Sequence, residues 1–416
     1  MRRLIFVLQL GAAAALGLSP TRASRAQGVV RPRARAAVAV AEPPTAARAA
    51  PSTASNSISS EEPLHVLISG AGVGGLALAN YLHFAQERGV PITYTVLEKT
   101  SEFRRFGGPI QLASNALREF QEINPTLYTE IEARATWTGN RTNGIKDGVR
   151  DEWYARFDLK TPAEIRGMPF TCVVDRPDLQ NILLSRTKEH VRNGAGVASY
   201  VHDGNGVLAT LEGGETVRGD VIVGADGIWS SIRATMRGEP AKGEGSGVSY
   251  SGYTVFAGEL AYSGMDPASG YTVYIGPQQY FVITDVGNGR YQWYAFLARE
   301  ADSEASEPKP EGASLYLQDL FKGWSPDIHA ILRVTTEDEI AQRDLYDRPP
   351  SVLKPWGDGK ATLIGDAVRF LFSFRKPFIT YNSHPNFFIL RRWTRSGSTT
   401  RPLRSSEPTF WSSRCR

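Results

Sequence analysis

Apolar, largely β-branched runs that stop at a glycine or an acid recur along this chain, and they predict a parallel α/β core. LHVLIS (64–69) stops at Gly70, and TYTVL (93–97) stops at Glu98. DVIVGADG (220–227) ends in Asp226-Gly227, and ATLIGD (361–366) ends in Gly365-Asp366. Such runs suit strands buried on both faces. Between the first two, a helix is expected from Gly74 to about Glu87, which makes a strand–helix–strand unit. A different pattern fills the middle of the chain. Tyr271–Ile275, Tyr280–Asp285 and Tyr291–Phe296 are apolar and aromatic, divided by Gly-Pro and Gly-Asn-Gly turns, and read as antiparallel hairpins. The expected fold class is α/β: a Rossmann-like βαβ domain with an inserted, largely antiparallel β-sheet domain for substrate.

Gly70, Gly72 and Gly75, with Gly74 beside them, form G-x-G-x-x-G between the first strand and the helix. These glycines give a tight turn, close approach to a pyrophosphate and close packing of helix on strand. The helix N-terminus offers free N–H groups and the positive end of its dipole to the phosphates. Glu98, at the end of the second strand, can accept ribose hydroxyls of the adenosine half. This motif alone does not separate NAD from FAD. The segments ending in Asp226-Gly227 and Gly365-Asp366 do: a dehydrogenase needs neither, whereas a flavin must be held along its ribityl chain and pyrophosphate. A strand-end carboxylate can bind a ribityl hydroxyl. In this order the three segments point to FAD.

Charge sharpens the boundaries. Residues 1–60 hold eight Arg and one Glu, and 367–416 hold nine Arg, one Lys and one Glu, so the +4 of the whole leaves −12 for 61–366. The body is acidic, which excludes a nucleic-acid partner argued from basicity. The two cysteines, Cys172 and Cys415, allow no disulfide framework, and Cys172 is expected to be a buried strand residue. No histidine pair has metal-ligand spacing, so no metal site is expected. At the N-terminus, MRR precedes a fifteen-residue apolar stretch, too short to span a membrane, and then an Ala-, Arg-, Ser- and Pro-rich stretch nearly free of acid. This reads as a signal segment followed by a transit segment, the bipartite presequence of algae with complex plastids. Secretion with a spacer is the alternative. No later run approaches a membrane span, so a soluble or peripheral protein is expected.

Longer segments are more specific: GGPIQLASNALREF (107–120), GNRTNGIKDG (139–148), WYARFD (153–158), RGMP (166–169), GADGIWSSIR (224–233), YSGYT (250–254), QQYFVITDVGNGRYQWYAF (278–296) and QRDLYDR (342–348). On these, residues 64–366 resemble the aromatic-hydroxylase-like flavin monooxygenases typified by p-hydroxybenzoate hydroxylase, and within that group the plastid xanthophyll epoxidases. The resemblance implies FAD binding by about 61–160, 170–235 and 340–366, and a substrate sheet over about 240–335. It implies that Arg176, in DRPDLQNIL, bonds the cofactor. It also implies O2 as co-substrate, NADPH or reduced ferredoxin as electron donor, and a flavin C4a-hydroperoxide that epoxidises the β-ring of a carotenoid, zeaxanthin to antheraxanthin and violaxanthin. The flavin carries the chemistry and no catalytic side chain is assigned. Peripheral association with thylakoid membrane is implied as well. The aromatic hairpins either line a path for the polyene or form plain core, and none of their residues is assigned to substrate. Another aromatic or isoprenoid hydroxylase and a non-catalytic flavoprotein-like fragment are the competing functions.

After Asp366 the chain departs from the family. A glycine loop beside the isoalloxazine is expected there, and AVRFLFSFRKPF follows instead. The basic residues 367–416 read as non-native sequence, a truncated isoform or a divergent tail. The expectation is weak FAD binding and no epoxidation by the chain as written.

Overall fold

The computed structural model describes residues 62–103, 108–298, 309–348 and 355–368. The expected presequence, and all but the first two residues of the basic tail, lie outside them.

The continuous apolar runs form the middle of a six-stranded sheet. Its order is Gly357–Asp358, Ala361–Leu363, Val221–Gly224, Leu64–Ser69, Ile92–Leu97 and Val191–Arg192. Every pairing is parallel except the first, an edge hairpin. Leu67, Ile68, Val96 and Ile222 are completely buried, as two-sided burial requires. Each such side chain stabilises the fold by about 1.5–3 kcal/mol relative to exposure. The helix Val73–Glu87 packs one face, together with Arg176–Ser185. The other face is covered by a three-stranded sheet and the helix Ser231–Arg237.

The register fixes what this sheet presents. Ser69 lies opposite both Leu97 and Gly224, and Gly224 lies opposite Leu363. Four carboxyl-terminal strand ends thus fall in one row, and Gly70, Glu98, Asp226 and Gly365-Asp366 all emerge at one edge. The third strand is shorter than its apolar run. It stops at Leu363, because Gly365 turns at φ +58° into a short 3-10 turn, Gly365–Ala367.

The aromatic hairpins form the centre of a seven-stranded sheet, ordered Ala341–Asp347, Ser249–Ala261, Arg290–Ala298, Gln279–Gly287, Ser269–Gly276, Thr142–Asp147 and Trp153–Phe157. It is wider than the expected span of 240–335, since its outer strands come from 142–157 and 341–347. One pairing, Ser269–Gly276 with Thr142–Asp147, is parallel, and the rest are antiparallel. One face packs on the helices Ala313–Leu320 and Pro326–Val334. A small sheet of Ile110–Leu112, Cys172–Val174 and Thr136–Trp137 leads directly into Arg176. Cys172 is buried there, and burial pushes its thiol up to about 12.

Candidate active site

The glycine turn divides into structural and open positions. Gly70 has φ +104°, and a Cβ there would lie 2.6 Å from the Ala225 carbonyl oxygen. A Cβ on Gly75 would lie 1.9 Å from the Gly70 carbonyl oxygen, so helix and strand meet only because both residues are glycine. Gly72 differs: it is exposed, and a Cβ on it would touch nothing within 4 Å. It stands at the N-cap of Val73–Glu87, whose first turn has no side-chain cap and no acid, and Gly74 lies one residue further inside. The helix end is therefore a free anion site with room in front of it.

Glu98 is buried and holds this turn in shape. Its Oε2 accepts from the Ala71 N–H at 2.6 Å, and its Oε1 accepts from the Thr100 N–H and hydroxyl at 2.9 Å each. A carboxylate has about four acceptor positions, so capacity for a ribose hydroxyl remains.

Asp226 also has a structural half. Its Oδ2 accepts from the Ser231 N–H at 2.8 Å and the Ile232 N–H at 3.3 Å, which caps Ser231–Arg237. Its Oδ1 is buried with no hydrogen-bond partner among the described residues. Leaving such an oxygen unsatisfied costs about 1–3 kcal/mol, and a ligand hydroxyl would relieve that. Gly227 follows at φ +79° with open space around it.

Arg233, at the end of the same motif, is completely buried. Its Nη1 donates to the Ala367 carbonyl at 3.3 Å and its Nε to Glu239 at 3.4 Å. Burial and the neighbouring Arg348 charge pull its guanidinium down to about 10. Arg348 also donates to Glu239. This cluster ties the second Gly–Asp segment to the third.

Asp366 is solvent-exposed, yet the protein crowded around it raises its carboxyl above the ordinary range, against the opposing pull of Arg176. Arg176 is itself exposed, at the first position of its helix. One turn later, Gln180 donates to the Ala71 carbonyl at 3.2 Å. The structure thus gathers every residue expected from sequence around one sheet edge.

It adds three that the sequence did not single out. Burial raises the Tyr294 phenol, and Arg176 opposes that shift, so one guanidinium acts on both Asp366 and the seven-stranded sheet. A Cβ on Gly108 would lie 3.1 Å from both the Tyr294 hydroxyl and the Gln292 side-chain oxygen, so any larger residue would require these two side chains to shift by a few tenths of an ångström. The alternation in QWYAF puts Gln292 and Tyr294 on one face, but nothing in it says which face meets the cofactor.

The chain matches the FAD binding domain family over residues 63–373. It belongs to that family. The open helix end, the orphaned Asp226 oxygen and the free space around Gly72, Gly227 and Gly365 all fit a long dinucleotide. Among curated relatives, the chain is 41% identical to the chloroplastic zeaxanthin epoxidase of Spinacia oleracea over 314 residues. That alignment covers 74% of this chain and 44% of the relative. The corresponding enzyme of Oryza sativa subsp. japonica is 39% identical, over 73% of this chain and 44% of the relative. The chain therefore spans less than half the length of these relatives. Among solved structures, Klebsiella pneumoniae HpxO complexed with FAD and uric acid superposes with a TM-score of 0.62 at 21% identity, covering 74% of this chain and 73% of that one. A salicylate hydroxylase substrate complex gives 0.60 at 18%, with 74% of each chain covered. These likenesses show the shared fold.

Proposed function

We propose that this domain is the FAD-binding, epoxidising part of a plastid xanthophyll epoxidase, acting on the β-ring of zeaxanthin to give antheraxanthin and then violaxanthin. The observation that carries this reading is the 41% identity to a zeaxanthin epoxidase, sustained over 314 residues and both lobes. Gly70, Gly72, Gly74 and Gly75 hold the pyrophosphate at the helix end, and Glu98 takes the ribose. Asp226-Gly227 and Gly365-Asp366 hold the ribityl and pyrophosphate portions, and Arg176 binds from the facing helix. Once reduced by NADPH or ferredoxin, FAD supplies the activation of O2. The chain's own contribution is to orient the alkene against the flavin, keep water from it, and keep Asp366 at a solvent-accessible sheet edge where it can bond a cofactor hydroxyl. The plastid location follows from the relatives' names and from the transit-like N-terminus. A peripheral contact with thylakoid membrane is where such a substrate would be met.

A second reading has its own observation. AVRFLFSFRKPF stands where the relatives' glycine loop is expected, which favours a weak-binding, non-catalytic form of the chain as written. The test takes two proteins: this chain, and a hybrid whose residues after Asp366 come from the spinach relative. Both are reconstituted with FAD and given zeaxanthin, reductant and O2. The proposal expects epoxide from the hybrid and little or none from the unmodified chain. A hybrid that holds stoichiometric FAD and leaves zeaxanthin unchanged rejects it.

A further inference from the structure

Three arginines meet behind the cofactor edge around a single carboxylate. Arg233 and Arg237 lie one turn apart on the helix Ser231–Arg237, and Arg348 follows the strand Ala341–Asp347. Arg233 and Arg348 are buried, and both donate to Glu239, whose side chain is buried as well. Among the described residues, no other carboxylate makes an ion pair with Arg233 or Arg348, and Arg237 makes none. Burial, and then the Arg348 charge, hold both Arg233 and Arg237 below the ordinary arginine range, so the three heads are close enough to repel one another. Two positive charges are left unmatched. An arginine does not shed its proton to escape that cost, as a buried carboxyl or lysine can.

The cluster also holds unused donors. Arg233 Nη2 and Arg237 Nε are buried with no hydrogen-bond partner among the described residues. Other nitrogens are engaged: Arg233 Nη1 donates to the Ala367 carbonyl at 3.3 Å, Arg237 Nη2 to the Pro355 carbonyl at 3.5 Å, and Arg348 Nη1 to the Ser246 carbonyl. Access comes through the glycine-rich loop 238–247, most of which is exposed. Arg348 lies directly beneath it, since a Cβ on exposed Gly247 would stand 3.5 Å from both of its terminal nitrogens.

We propose that Arg233, Arg237 and Arg348 form a binding site for a small tetrahedral oxyanion of the phosphate class. It is separate from the cofactor's phosphate site, because the Ser231–Arg237 helix packs on the opposite face of the parallel sheet from the helix that begins beside Gly72. A dianion matches the two unmatched charges. Its several oxygens accept from different arginines at once, which a single-atom anion does not do as well. Seated there, it braces the helix against Ala367, and with it the turn that carries Asp366. The inference stands apart from the carotenoid reading, since it uses no substrate contact.

The test uses the full chain with saturating FAD, so that the helix end at Gly72 is already filled. Thermal unfolding is compared in sodium phosphate and in sodium chloride of equal ionic strength, and inorganic phosphate is titrated by calorimetry. Roughly 20 mM phosphate is expected to raise the unfolding midpoint by about 3 °C beyond chloride. Arg237→Gln, at the half-buried rim, is expected to weaken phosphate binding about tenfold, the scale of one lost charge-assisted hydrogen bond. Glu239→Gln removes the competing carboxylate and is expected to tighten phosphate binding about tenfold, whereas a purely structural cluster would only lose stability. The site is overturned by a wild-type chain with no phosphate heat and no midpoint shift beyond chloride. Unchanged binding in Arg237→Gln, or weaker binding in folded Glu239→Gln, overturns it too.

Discussion

The two faces of the seven-stranded sheet are built from the same strands with the same kinds of residue, yet they pack differently. Along Arg290–Ala298, Tyr291, Trp293, Ala295 and Leu297 point one way and meet Leu317, Phe321, Ile328 and Ile331. Gln292, Tyr294 and Phe296 point the other way, the first two beside Gly108. Trp293 is fully buried, and its indole N–H donates to the Thr335 hydroxyl at 3.1 Å. On the other face Tyr253, Tyr280 and Tyr294 keep part of their surface. An aromatic residue sealed under a helix, such as Trp293, is committed to the core, whereas Tyr294 on the other face is only half-buried. The glycine turn shows the same division on a smaller scale, Gly75 being locked in packing and Gly72 facing open space.

Substitutions can separate the two roles, starting with the largest effect. Trp293→Ala should cost about 3–5 kcal/mol of stability, measured by denaturant unfolding, because it empties a large volume in a sealed core. An effect below about 1 kcal/mol would mean that this face is not the core. Gly72→Val should leave the apo-protein's unfolding midpoint nearly unchanged and weaken FAD about 100-fold, or roughly 2.7 kcal/mol, in a fluorescence titration. Gly75→Val should instead fail to give a folded apo-protein.

Asp366→Asn should weaken FAD about tenfold, the scale of one hydrogen bond to a charged group. It also has a pH signature. Crowding raises the Asp366 carboxyl above its unfolded value, so its contribution to apo stability is present below the ordinary carboxylate range. That contribution is lost as pH rises through the raised value. The variant should flatten this part of the stability–pH curve, as thermal unfolding at stepped pH would reveal. An unchanged curve would show that the raised carboxyl has no bearing on stability. The smallest effect is expected from Tyr294→Phe: unfolding should give a stability within about 0.5 kcal/mol of wild type, since only a hydroxyl of a half-buried ring is lost.

Sequence and structure agree most closely where the physics is local. The runs before Gly70, Glu98 and Asp226 read as buried strands, and they occupy the middle of the parallel sheet. That is because a strand covered on both faces has to be apolar throughout. Gly70, Glu98, Asp226 and Gly365-Asp366 could be placed at one edge for the same reason, since each follows a strand end, whereas Arg176 was expected only from the family resemblance. Their double roles were not. Nothing in GADG foretells that one oxygen of Asp226 caps a helix while the other stays orphaned, because that depends on how Ser231 is placed. The strand at Ala361 was read three residues too long, because the positive φ of Gly365 is a backbone choice invisible in an apolar run. Strand alternation separated Trp293 from Tyr294. Only the helices at Ala313–Leu320 and Pro326–Val334 decided which of the two was core.

The account rests on this domain being the part of the enzyme that places oxygen on a carotenoid ring. The most direct measurement is product mass after incubating the FAD-loaded hybrid, which carries the spinach relative's sequence after Asp366, with zeaxanthin, reductant and isotopically labelled O2. The account predicts epoxide carrying one labelled oxygen per ring. Unchanged zeaxanthin, or unlabelled epoxide, from protein with FAD bound would contradict it.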